Sequence, residues 1–149
     1  MTVLNGEARE VALAEAQAVL AMARDEGMRG RVADLVGRVD EGTVDGDAGD
    51  LLEQVLELGL QTGRIRAYYG PGGEQAALKT LRGLPRGRTR SESARDVSEA
   101  LAALTGKTLD RVAIAAVAPG AYTLSISADG LETSVRLDGS GARVVSVAT

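Results

Sequence analysis

Apart from a short alternating stretch at 65–69, the apolar residues of this chain change their period once, and that change limits the fold more than any single motif. Up to about residue 105 they recur at helical spacings of three and four, whereas from residue 110 onward they alternate. Helices followed by strands, with no strand–helix–strand alternation, specify an α+β fold with an antiparallel sheet. In the alternating part, Tyr122, Leu124 and Ile126 interleave with Thr123, Ser125 and Ser127, and Leu131, Thr133, Val135 and Leu137 interleave with Glu132, Ser134, Arg136 and Asp138. Turn signals at Pro119-Gly120, Asp129-Gly130 and residues 138–141 separate four short runs. The expected product is a four-stranded antiparallel meander with helices packed on its apolar face and water on the other.

The helical part divides into segments. Residues 6–26 are rich in Ala, Leu, Glu and Arg and contain no Pro, which favours a helix with Asn5 as N-cap and Gly27 as its stop. Its apolar arc is wide: Val11, Ala12, Ala18, Val19 and Met22 cover one flank, Leu13 and Leu20 another. A stripe broader than one neighbour can cover predicts contacts with more than one partner. Residues 28–39 place Met28, Val32, Leu35, Val36 and Val39 on one face, so the two segments form an antiparallel hairpin. Residues 40–50, rich in Gly and Asp, are the best linker candidate.

The expected organisation is therefore a hairpin over 1–46, serving as an oligomerisation or partner-docking element, and an α+β domain over 47–149. That domain carries helices at about 50–61, 73–82 and 90–105. Alternation of Ile65, Ala67 and Tyr69 with Arg64, Arg66 and Tyr68 suggests a short strand before a turn at 70–73. Thr89 followed by Glu92 suggests a capping box opening the last helix.

Composition bears on function. The 149 residues include no His, Cys, Phe or Trp, and the aromatic side chains are Tyr68, Tyr69 and Tyr122. No side chain has an unperturbed pKa near neutrality, and there is no thiolate nucleophile or soft metal ligand. Ser91, Ser93 and Ser98 have no histidine base, so an enzyme here would rest on carboxylates, Lys, Arg, Ser, Thr or Tyr. A core built from small aliphatic side chains buries less surface per residue, which favours homo-oligomerisation. The net charge of −4 argues against general nucleic-acid binding. No apolar run approaches the roughly 20 residues of a membrane span, and no N-terminal stretch has signal-peptide pattern, which reads as a cytoplasmic chain. Richness in Ala, Gly, Arg and Val matches a GC-rich bacterial coding bias.

Three features invite a site, each with a plainer explanation. The turn at Tyr68, Tyr69, Gly72 and Gly73 precedes a helix and could hold an anion, but it lacks Walker or dinucleotide spacing, Glu74 beside it would repel an anion, and a tight turn explains it better. Residues 79–95 carry Lys79, Arg82, Arg86, Arg88, Arg90 and Arg95 against Glu92, while 40–57 carry seven acids and no base. These segments either pair with each other, meet separate partners, or form two solvated surfaces. Asp45, Asp47 and Asp50 resemble an oxygen-ligand cluster, yet their spacing is not that of an EF-hand and capping explains them. No catalytic residue, metal site or cofactor is assigned. The expectation is a non-catalytic scaffold or accessory subunit that associates with itself and with a larger protein partner through Val11, Leu13, Val19, Leu20 and Met22. The alternative is a small-ligand or anion-binding module using residues 70–73 and Arg82, Arg86, Arg88 and Arg90.

Overall fold

The computed structural model describes residues 1–149 and is α+β, with helices first and a four-stranded antiparallel sheet last. The chain forms two compact units, Met1–Arg88 and Thr89–Thr149, whose boundary falls within the fifth helix.

The first unit contains helices α1 (Gly6–Met22), α2 (Glu26–Glu41), α3 (Gly46–Gln61) and α4 (Arg64–Gly83). A two-residue strand β1 (Thr2–Val3) pairs antiparallel with β2 (Thr43–Val44), so 40–50 is no linker. That stretch ends α2, supplies β2 and starts α3, and the Leu4 amide donates to the Gly42 carbonyl at 2.8 Å. The α1–α2 connection is residues 23–25, longer and earlier than the expected break at Gly27: α1 stops at Met22, and Gly27 lies in the first turn of α2. Asp25 then caps α2, its carboxylate accepting from the Met28 amide at 2.8 Å.

The alternating residues 65–69 are helical and not a strand. Ile65 is fully buried and Tyr69, one helical turn later, packs against the same core, so tertiary burial selects the period of four over the period of two. The expected turn at 70–73 is a kink inside α4. Pro71 cannot accept a helical neighbour before it, and Gly70 takes φ 69° and ψ −171°, which a side chain would resist. The short helix expected at 73–82 is the continuation of α4 beyond this kink.

Helix α5 spans Pro85–Ala102 and starts four residues before Thr89, so the capping-box reading fails. Proline at the first helical position lacks only an amide hydrogen that would have had no intrahelical acceptor. In the second unit, β3 (Leu109–Ala118), β4 (Ala121–Ala128), β5 (Leu131–Asp138) and β6 (Gly141–Ala148) follow in simple meander order. Asp129 and Gly130 both lie at positive φ, 47° and 81°, giving the two-residue hairpin turn whose twist suits the flanking strands. Within this unit the backbone of Arg90 in α5 lies 3.9 Å from the Cβ position of Gly141 at the start of β6.

Candidate interaction surface

Strand register gathers the alternating apolar residues onto one face. Val112 stands opposite Ile126 and Ile114 opposite Leu124; Leu124 and Ile126 in turn face Val135 and Thr133, which face Val144 and Val147. The centre of this face is covered, with Val135 and Thr133 each 1% exposed and Val97 of α5 also buried. Its margins are open: Val112 is 55% exposed, Ile114 64% and Val147 56%. The widths explain this, since strands about 4.8 Å apart make a four-stranded face wider than the roughly 10 Å of a single helix.

The two edge strands differ. Strand β6 carries an exposed Arg143, and Val145 is an extra residue in its pairing with β5, a bulge that disrupts an edge. Strand β3 has its irregularities only near its ends, between Leu109 and Arg111 and between Ala116 and Ala118. Between them it is regular, and every β3 residue except the half-buried Ala113 is exposed. Its charges, Asp110 and Arg111, sit together at one end. An extended apolar edge without Pro, Lys or a central charge is a template for another strand.

Of the five α1 residues expected to contact partners, four pack within the chain's own core. Val11 is buried, and Leu13, Val19 and Leu20 pack against the core formed by α1–α4; Met22 is exposed. Helix α1 touches α2, α3 and α4, which accounts for its wide apolar arc without another subunit.

The tyrosine–glycine segment is also occupied from within. Tyr68 is exposed, with the Arg64 guanidinium 5.6 Å from its ring centre. The Tyr69 hydroxyl donates to Glu15 at 3.4 Å, and the buried Glu15 carboxylate also faces Arg64 Nε at 3.4 Å. Burial and then the Glu15 charge push the Tyr69 phenol above its ordinary pKa. Gly72 meets the Glu7 carboxylate, whose oxygen lies 3.1 Å from the Cβ position, so a negative group already stands beside the first turn after the kink. Gly73 is buried against Tyr69.

The basic residues do not form a single cradle. Arg82 and Arg88 are exposed, Arg86 faces Asp50 at 3.9 Å and Glu53 at 3.8 Å, and Arg90 belongs to the second unit beside Gly141. The complementary acidic and basic segments thus meet within the subunit at Arg86. Other acids of 40–57 are held by nearer arginines, Asp40 by Arg9 and Asp45 by Arg38. No group of three or more acidic side chains is arranged to hold a metal ion. Arg88 lines a cavity of about 300 Å³ with Thr2, Asn5 and Lys79, a feature that sequence spacing did not reveal because the N-terminal residues fold back onto α4, where the Thr2 hydroxyl donates to the Gly83 carbonyl at 3.1 Å.

Comparison with family models, with curated proteins and with solved structures gives no match for this chain.

Proposed function

We propose that this chain is a non-catalytic scaffold or accessory subunit that works by associating with itself and with a larger protein partner. The observation that supports this reading is strand β3, whose Leu109, Val112, Ile114 and Val117 are each more than half exposed on an unpaired edge. Exposed apolar side chains along an unpaired strand edge, with Val112 and Ile114 on one face, are the kind of surface that another chain can cover. The support moves from α1, where Met22 alone among the five named residues is exposed, to the sheet. A bacterial, cytoplasmic setting accords with the composition and belongs to the same proposal.

Size-exclusion chromatography with light scattering tests self-association, and affinity capture from the native cell followed by mass spectrometry tests the partner. A strict monomer at high concentration that captures nothing reproducibly would remove the proposal.

The cavity between Lys79, Arg88 and the residues preceding α1 favours a second reading, a small-anion module. Lys79 and Arg88 both line it, away from the kink at Gly70. A thermal-shift series with phosphate, nucleotides and metal ions separates this reading from the first, because a ligand of the native state raises its apparent stability. Flat melting temperatures across the series would discard the module.

A further inference from the structure

We infer that the free edge of β3 pairs antiparallel with β3 of a second copy, closing a two-fold dimer through one continuous eight-stranded sheet. This inference rests on the self-association proposed above and names its surface. Three observations select a second copy as the occupant.

The first is charge. Asp110 and Arg111 lie at one end of β3, and residues 112–118 carry none. In an antiparallel pair centred on Ala113, Arg111 faces Ala115 of the second copy and Asp110 faces its Ala116, so like charges never meet. A parallel pair would set Arg111 beside Arg111, a destabilising contact.

The second is the match of faces. The same register places Val112 opposite Ile114 of the second copy, twice over by symmetry, and keeps both on the apolar face that already holds Leu124 and Ile126. Side-chain alternation permits this only when the two-fold falls on a residue, and Ala113 at the centre is small and uncharged. The third is closure. An isologous β3 contact leaves β6 as the outer edge of both copies, and β6 already carries the bulge and exposed arginine that resist further addition.

A strand pair is small beside the roughly 1,200 Å² of total surface buried in stable complexes, so the dimer is expected to dissociate on dilution. Light scattering of the full chain, from low to several hundred micromolar, should show the mass rising from one to two chains and then levelling. Ile114→Lys, at a side chain exposed in the protomer, should raise the dimer Kd at least about tenfold. Val145→Lys on β6 should leave it unchanged. Because the chain has no cysteine, Ala113→Cys offers a single thiol that should give a disulfide-linked dimer under mild oxidation.

A dimer that persists in Ile114→Lys and fails to cross-link through Ala113→Cys overturns the β3 pairing while leaving self-association standing. A mass that keeps growing without levelling overturns it in favour of an open β3–β6 contact. A monomer at every concentration overturns both this inference and the self-association on which it rests.

Discussion

The helical unit and the sheet unit draw on the same aliphatic alphabet and reach different degrees of closure. In Met1–Arg88, Leu35, Leu52, Leu56 and Ile65 are fully buried among valines and alanines from α1 to α4. In Thr89–Thr149 the buried residues are Val97, Ala121, Ala128, Val135 and Thr133. The difference lies in layer geometry. Four helices can turn their apolar stripes toward one another, whereas a sheet presents a broad face and two edges that one helix cannot cover. Without Phe or Trp, neither unit can compensate with a few large side chains.

The largest effect should separate the units directly. Leu52→Ala, in the helical core, is expected to cost about 2–5 kcal/mol in chemical denaturation. Ile114→Ala, measured in dilute protein, should stay within about 0.5 kcal/mol of the parent. Equal losses would break the comparison, since they would mean β3 is as well covered as α3.

A second variant probes packing inside the helical unit. A Cβ on Gly73 would lie 2.2 Å from Tyr69 Cβ, an atom fixed to its own backbone, so Gly73→Ala should cost about 1–3 kcal/mol through overpacking. A neutral result would show that the kinked helix gives way, and that the unit is looser than its buried residues suggest.

The Tyr69–Glu15 contact provides a pH signature specific to the helical unit. The native phenol holds its proton more tightly than the unfolded one, so its contribution is complete below the ordinary pKa of 10.0 and is lost as pH rises through the native value. Unfolding free energy should therefore fall above pH 10.0, and Tyr69→Phe should flatten that part of the profile. An unchanged slope in the variant would assign the loss to other groups.

The smallest effect belongs to the sheet unit. Asp138 is held below its ordinary pKa of 3.8, first by hydrogen bonds from the Ser140 hydroxyl and amide, then by Arg143 and Arg136. Its contribution is present above pH 3.8 and is lost as pH falls through the lower native value. Asp138→Asn should weaken the acid side of that dependence slightly, as read by the β5–β6 turn amides in NMR; no change would remove this turn from the account.

Much of the sheet was legible because its determinants are local. Pro119-Gly120 and Asp129-Gly130 stand at the observed turns, and the alternation of β4 and β5 agrees with their register. The candidate surface was less legible. Residues 109–118 read as one strand among four, and nothing in their spacing marks an edge. The partner role expected for Val11, Leu13, Val19 and Leu20 arose from a wide apolar arc whose neighbours, α3 and α4, are distant in sequence.

The sequence by itself determined that a helical part precedes a four-stranded antiparallel meander, the hairpin turns and the scarcity of large core side chains, since backbone conformation and composition are properties of short segments. Tertiary structure alone decided that residues 65–69 are helical, that Glu7 fills the place beside Gly72, and that β3 is left uncovered. Each of those outcomes depends on which surfaces meet after the chain folds back on itself, and burial carries the free energy that chooses among locally permissible alternatives.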